Sequence, residues 1–325
     1  MRQGYNSVEL IGTLLEMEVK HEKNVTRKIG DTDLKCDKIE LELVLDCGEG
    51  REIPIKLSSH SVNAEGKENG LYKSYVTIAN EYKTVAKYGE EEADMIAINK
   101  ATLRPYATKN KNGGKLNFGC SVQTNFANRV EDKSKVEKKA FFSVEGIVNK
   151  VFDVVEDSMP CADKCKVELL LTIGGFGSTP LGLEKATFIV EGEDKVDYVR
   201  SVYTKGATVS VDGNIEFYKI IENQVIKRSF GEDRTKPKVT LVRNLVITGG
   251  SGSYAEENPT KEFPKEEWVE LYNEMEKRHR DLLLKEDNKP EQRNSFGGAS
   301  STVTNTTVKT ETNKTTGIDI GDIPF

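Results

Sequence analysis

Two stretches of the chain combine basic residues with aromatic rings. Residues 100–130 contain no Asp or Glu, although charged residues make up 31% of the chain. Lysine and arginine can pair with the phosphates of a nucleic acid, while aromatic rings can stack on unpaired bases. The candidate binding residues of this stretch are Lys100, Arg104, Tyr106, Lys109, Lys111, Lys115 and Phe118.

Residues 217–243 form the second stretch, in which basic side chains outnumber acidic ones around Phe217, Tyr218 and Phe230. Its candidate binding residues are Lys227, Arg228, Arg234, Lys236 and Lys238. The alternative for either stretch alone is a solvated hairpin, and an aromatic residue on a strand more often belongs to a core. The recurrence of the pattern at equivalent positions of an internal repeat favours binding.

The sequence contains no recognisable catalytic motif. Its three histidines are isolated in charged surroundings: His21, His60 and His279. The segment Gly174-Gly175-Phe176-Gly177 lacks the lysine of a phosphate-binding loop. Cys161 and Cys165 have no second Cys or His pair at a zinc-ligand spacing. We therefore expect a protein without catalytic activity, metal or cofactor.

Two further properties concern the cellular compartment. The sequence has neither an apolar run long enough to cross a bilayer nor a secretory leader at its start. Its five cysteines are odd in number and irregularly spaced, which suits a reducing compartment better than a disulfide framework. We expect a cytoplasmic protein that does not bind membranes.

The hydrophobic pattern predicts the same order of elements twice. In the first pass, strands are expected at 6–19, 38–46, 53–57, 95–103 and 116–122, with a helix at 71–88. In the second pass, strands are expected at 141–152, 167–173, 183–190, 205–217 and 239–247, with a helix at 194–203. Gly12 and Gly146 interrupt the two first strands at matching positions, as expected where a strand bends sharply.

Five strands with a helix between the third and the fourth are typical of the OB-fold, a small Greek-key barrel. We therefore predict a mainly β protein with two tandem OB-fold barrels, a C-terminal helix and a disordered tail. The predicted boundaries are 1–130 for the first barrel, 140–254 for the second, 262–287 for the helix, 288–316 for a disordered linker and 317–325 for a terminal tip.

The tip combines acidic and apolar residues at the end of a Ser/Thr/Asn-rich tether. Its candidate partner-binding residues are Asp319, Asp322, Ile323, Pro324 and Phe325. A basic-rimmed apolar pocket on another protein could hold such a peptide, and the proline reduces the freedom lost on docking. The alternative is an exposed terminus that happens to be apolar.

Two segments carry a family resemblance. Asn6-Ser7-Val8-Glu9-Leu10-Ile11-Gly12-Thr13-Leu14 resembles the first strand of bacterial-type single-stranded DNA-binding proteins. Asp319-Ile320-Gly321-Asp322-Ile323-Pro324-Phe325 is similar to the acidic tip of that family. The resemblance implies an OB-fold that binds single strands and a tip that recruits replication, recombination and repair proteins. The family's stacking tryptophans have no counterpart, since Trp268 lies outside both predicted barrels.

The sequence thus predicts non-catalytic, sequence-tolerant binding of single-stranded DNA, with replication and recombination proteins as partners of the tip. Two barrels in one chain suggest a monomer or a homodimer, and the layout resembles a bacteriophage-encoded version acting in the host cytoplasm. The alternative is a protein-interaction or assembly module whose barrels bind no nucleic acid.

Overall fold

The computed structural model describes residues 1–110, 114–156, 159–174, 182–228, 230 and 234–284. Within them the protein is mainly β, as predicted, with a large mixed sheet and a C-terminal helix. The strands of the first half are β1 (Asn6–Ile29), β2 (Thr32–Asp46), β3 (Glu52–His60), β4 (Met95–Lys109), β5 (Leu116–Thr124) and the short β6 (Asn128–Arg129). Helices α1 (Gly70–Glu81) and α2 (Val85–Tyr88) lie between β3 and β4.

The second half repeats this order after a short 3-10 turn at Lys133–Lys135. Its strands are β7 (Lys139–Glu156), β8 (Met159–Ile173), β9 (Gly182–Glu191), β10 (Thr208–Ile226) and β11 (Arg234–Gly250). Helix α3 (Glu193–Val202) precedes β10, while α4 (Tyr254–Glu257) and α5 (Lys265–Leu284) follow β11. The predicted order of five strands with helical structure between the third and the fourth is confirmed in both passes, although the first half has two helices there.

Strand pairing in each half forms a closed circuit. In the first half β1 pairs with β2, β2 with β3, β3 with β5, β5 with β4, and β4 with β1. The second half has the same pairing order: β7 pairs with β8, β8 with β9, β9 with β11, β11 with β10, and β10 with β7. Only β3–β5 and β9–β11 are parallel among these pairs. Within the described residues, each strand of a circuit is therefore paired on both sides.

The two halves are joined by one stretch of antiparallel pairing between their first strands. Residues Asn6 to Ile11 of β1 pair with Val144 to Lys139 of β7. Side chains that alternate inward along the strands fill a hydrophobic core that continues from one half into the other. Leu43 and Ile55 lie in its first part, and Phe188 lies in its second part.

Close approach explains the two matching glycines. A Cβ on Gly12 would come within 2.7 Å of the Asp46 carbonyl oxygen, and one on Gly146 within 2.9 Å of the Leu171 side chain. Each glycine therefore allows the first strand of its half to press against the second strand.

The N-terminal segment is fastened to β7 through the buried carboxylate of Glu145. Arg2 Nη1 donates to this carboxylate at 2.6 Å, the amide of Tyr5 at 2.9 Å, and the hydroxyl of Tyr254 in α4 at 2.9 Å. Burial alone would raise the pKa of Glu145, but these hydrogen bonds outweigh burial and hold it below the usual value.

The single helix predicted at 71–88 is wrong, since the chain forms two helices there. Tyr82 and Thr84 adopt extended backbone conformations between α1 and α2. The carboxylate of Asp94 accepts a hydrogen bond from the amide of Lys83 at 2.8 Å. A side chain thus replaces the helical partner of this amide, which the periodicity of apolar residues does not reveal.

Several hairpins are longer than predicted, and β1–β2 and β10–β11 exceed the prediction most. β1 and β2 pair as far as Ile29 and Thr32, where a loop was expected, and β10 and β11 pair as far as Ile226 and Arg234. The outer part of the β10–β11 hairpin is exposed on both faces, whereas the outer part of β1–β2 has one partly buried face around Cys36. Because neither face of the outer β10–β11 hairpin is buried, its sequence lacks the alternation that normally identifies a strand.

Helix α5 packs on the outer face of β8 and β9. Trp268 and Met275 of α5 contact a cluster that includes Leu170, Leu183 and Ile147. The predicted C-terminal helix is confirmed, although it begins at Lys265 instead of 262. Over the part of the chain that the structure describes, every helix is too short or too polar to span a bilayer.

Candidate nucleic-acid interface

The first candidate surface is the outer side of β4. Ala101 and Leu103 point into the core, so the residues that alternate with them along β4 point outward. Lys100, Arg104 and Tyr106 occupy alternate outward positions, and Arg104 Nη1 donates to Gln123 Oε1 of β5 at 3.2 Å. Three predicted binding residues therefore lie in one row, which we call the β4 row.

Tyr106 is held in place by its neighbour across the strands. It pairs with Gly119 of β5, and a Cβ on this glycine would lie 2.6 Å from the Tyr106 ring and hydroxyl. The glycine therefore lets the ring lie close against the β5 backbone. An aromatic ring supported in this way can present its other surface to a base.

Phe126 adds a second ring to this surface. Lys100 Nζ lies 5.8 Å from the centroid of the Phe126 ring, which is 45% exposed. Phe126 belongs to the basic, aromatic stretch 100–130, but it was not among the predicted binding residues. The β4 row and Phe126 together place two cations beside two rings.

Two predicted lysines lie where β4 and β5 approach their connection. Lys109 ends β4 and pairs with Leu116, while the amide of Asn110 donates to the carbonyl of Lys115 at 3.1 Å. Lys111 lies outside the described residues.

Phe118 lies on the opposite side of β5 from the β4 row. Its ring meets the His279 ring edge-on at 5.2 Å, and Lys185 Nζ lies 5.5 Å from its centroid. His279 is itself buried and shares a 2.7 Å hydrogen bond with Glu184. Phe118 thus packs between the first half, β9 and α5, and it is not brought together with Tyr106.

The second candidate surface is the outer part of the β10–β11 hairpin, Lys219–Ile226 with Arg234–Leu241, which we call the arm. Side chains alternate between its two faces. One face has a basic character, with three cations and Glu222 as its acidic residue. These cations are Arg234, Lys236 and Lys238. Lys227 and Arg228 follow β10 at the end of the arm, where the side chain of Phe230 is 94% exposed.

The base of the arm packs against β2 and β3 of the first half. Lys219 Nζ forms a 2.5 Å ion pair with Glu52. Val44 and Pro54 of the first half and Leu241 of the arm line a cavity of about 180 Å³ beside this pair. The arm is therefore anchored at its base.

The outer faces of the second and third strands of each half are not open basic surfaces. In OB-fold barrels these faces commonly bind oligonucleotides. In the first half, Glu40 and Glu42 occupy this face, and Glu42 pairs with Lys56 at 2.7 Å. In the second half, α5 covers Leu170 and Leu183. The β4 row and the arm are therefore the better candidates.

The proposed tip falls outside the described residues, and this includes Asp319, Asp322, Ile323, Pro324 and Phe325. Within the described ranges, no group of three His, Cys, Asp or Glu side chains is arranged to hold a metal ion. All five cysteines in these ranges are free thiols. Burial raises the pKa of the Cys47 thiol to about 12, with the Asp46 carboxylate adding to the effect.

Comparison with solved structures finds low similarities. The wild-type single-stranded DNA-binding protein from Thermus aquaticus is 14% identical, with a TM-score of 0.36 over 77% of this chain and 93% of that chain. A deletion mutant of the Thermus aquaticus protein is 14% identical, with a TM-score of 0.38 over 81% and 98%. A replication protein A heterotrimer bound to single-stranded DNA is 11% identical, with a TM-score of 0.22 over 85% and 53%. Similarities of this size do not assign a fold or a function.

Sequence comparison is informative about the family. Among curated proteins, no sequence matches this chain significantly. The YorF family matches residues 4–290, which include both halves and helix α5. The chain therefore belongs to the YorF family.

Proposed function

We propose that this protein binds single-stranded DNA without sequence preference and without catalysis, in replication, recombination or repair. The proposal treats each closed circuit of five strands as an OB-fold barrel. Support comes from the pairing order, which joins the third strand to the fifth and the fourth back to the first in both halves. The parallel pairing of the third and fifth strands recurs as well.

The observation that carries the proposal is the β4 row. Lys100, Arg104 and Tyr106 share one outward face with the exposed ring of Phe126, within a stretch that contains no acidic residue. Such a surface offers cations to phosphates and rings to unpaired bases. Contacts to backbone and base faces do not depend on base identity, which supports sequence-tolerant binding.

The basic face of the arm is proposed as the second contact. Arg234, Lys236 and Lys238 have exposed side chains on one face of this two-stranded ribbon. A ribbon that extends beyond the barrel can meet a strand along several phosphates. Lys227 and Arg228 at its end complete the proposed contact.

The domain boundaries are part of the proposal. We assign 1–130 and 140–254 to the two barrels, 262–287 to the C-terminal helix, 288–316 to a linker and 317–325 to the recruiting tip. Partner recruitment is tested by immobilising the full chain and a form ending at Thr316 on the same single-stranded DNA in an extract. Proteins retained by the full chain alone support recruitment, and identical sets contradict it. The cytoplasmic location and the bacteriophage origin stay predictions.

Fluorescence anisotropy with labelled oligo-dT and duplex DNA of equal length tests the central proposal. We expect the full chain to prefer oligo-dT and to lose affinity steeply as salt rises, because phosphate contacts release counterions. The double variant Arg104→Ala, Tyr106→Ala should lose most of this affinity. Lys87→Ala removes an exposed cation from α2 and serves as the control. Equal affinity for duplex, or a flat salt response, would contradict the proposal, and failure to bind either DNA would favour an assembly module whose barrels bind no nucleic acid.

A further inference from the structure

The arm has a second, apolar face opposite its basic one. The apolar side chains that share it are Ile221, Val225, Pro237, Val239 and Leu241, and the polar side chains on the same face are Lys219, Asn223 and Thr235. Ile221 is 65% exposed, Val225 60% and Val239 54%. Scattered exposed apolar residues are ordinary on a protein surface, but a contiguous patch on one face of a ribbon indicates an interaction site.

The apolar face continues a face that is already packed at the base of the arm. Phe217, two positions before Lys219 on the same face, is buried in the core. Leu241 then borders the cavity against Val44 and Pro54 of the first half. Beyond that point the described part of the chain covers nothing on this face. The packed surface and the exposed patch form one continuous strip.

The ribbon also lacks lateral support. The described pairing of β10 with β7 ends at Asn214, and β11 pairs with β9 at Val246 and Ile247. The arm is therefore two-stranded over its whole length, and a two-stranded ribbon is marginally stable in water unless another surface packs on it.

The charges on the arm restrict what can cover the apolar face. Lys219 on this face is already paired with Glu52, while the cations suited to an anion lie on the opposite face. Arg243 lies on the same face only at the base of the arm, beside Phe217. A nucleic-acid backbone or an acidic peptide such as 317–325 would bring phosphates or carboxylates to the outer part of the face, where Lys219 is the only described cation, and burying an unpaired charge is costly. The occupant must be uncharged and apolar along a narrow strip.

A second copy of this chain meets that requirement, because the outer part of this face is mostly apolar, its lysine is already paired within the chain, and the same surface is present in both copies. We propose that the apolar face of the arm packs on the same face of a second copy about a two-fold axis. Both basic faces then point away from the contact and stay accessible. The proposal concerns self-association and does not depend on nucleic-acid binding.

Sedimentation velocity of the full chain over a range of concentrations tests this contact. We expect a species of twice the 36.2 kDa chain mass. Val239→Glu should raise its dissociation constant by about a hundredfold, because each copy brings an unpaired carboxylate into the contact. Thr240→Glu adds the same charge one residue further on, on the basic face, and should leave the dimer intact.

A second variant separates loss of association from loss of folding. Ile221→Lys introduces the opposite charge on the same face and should weaken the dimer equally, with a thermal transition close to that of Thr240→Glu. A wild-type chain that stays monomeric would overturn the proposal, as would a dimer unaffected by Val239→Glu and Ile221→Lys. A wild-type monomer that dimerises after removal of 317–325 would show that the tip covers this face instead.

Discussion

The ring of Tyr106 lies directly over Gly119, its partner on β5, where a Cβ would come within 2.6 Å of the ring. If this ring stacks on a base, Tyr106→Ala should weaken binding to oligo-dT by about tenfold, since one stack contributes on the order of 1–3 kcal/mol. Gly119→Ala keeps the phenol but displaces it, and should also weaken binding in the anisotropy titration.

The matched control for this displacement is Gly249→Ala in β11. A Cβ on Gly249 would meet no atom within 4 Å, so the change adds a methyl group without moving a neighbour. Its affinity should equal that of the wild-type chain. Unchanged affinity of both Tyr106→Ala and Gly119→Ala would remove Tyr106 from the interface.

Phe118 should affect stability rather than binding. Its ring packs against His279 of α5 and beneath the ammonium group of Lys185 of β9. Phe118→Ala should lower the free energy of unfolding by about 2 kcal/mol, less than for a fully buried ring because Phe118 is half-buried. Urea unfolding measures this loss, and affinity for oligo-dT should not change. A variant of wild-type stability that loses DNA affinity would place Phe118 in the interface after all.

The arm cations should determine part of the salt dependence. For single strands, each phosphate neutralised contributes about 0.7 to the slope of log affinity against log salt. Replacing Arg234, Lys236 and Lys238 together by alanine should therefore lower the magnitude of that slope by about 2. Titrations at four or more salt concentrations measure the slope. A variant with weaker binding but the wild-type slope would argue against phosphate contacts by the arm.

Glu145 should make folding stability depend on pH. Its folded pKa lies below the usual value, so its contribution is complete above about pH 5 and is lost as the pH falls through the folded pKa. Glu145→Gln should cost about 1–2 kcal/mol at pH 7, because the bonds from Arg2 and Tyr5 lose their charged acceptor. The gap between wild-type and variant melting temperatures should narrow in acid, and a gap that is constant with pH would contradict this role.

The sequence predicted those parts of the fold in which one face of an element is buried. The strands around Leu43 and Phe188 alternate between core and solvent, and the matching glycines Gly12 and Gly146 identified the bent first strands. Both features follow from local chemistry, since burial fixes the period of apolar residues and close backbone contact requires glycine.

The features that escaped prediction depend on contacts between distant residues. The arm has no buried face, so its valines and isoleucines do not alternate regularly with polar residues. Its sequence pattern was therefore typical of a loop. The break at Lys83 depends on Asp94, eleven residues further on. The sequence predicted that both Phe118 and Tyr106 stack on bases. They lie on opposite faces of the β4–β5 pair, and Phe118 points toward α5.

The pairing of β1 with β7 fixes the distance between the two halves, since six residues of each strand form one continuous ladder. Two halves joined by a flexible linker could change their separation, so the distance between their binding surfaces would vary. Here the spacing between the β4 row and the base of the arm is fixed by this ladder and by the Lys219–Glu52 ion pair. If one DNA strand contacts both surfaces, as proposed, it should span a constant number of nucleotides at every salt concentration that permits binding.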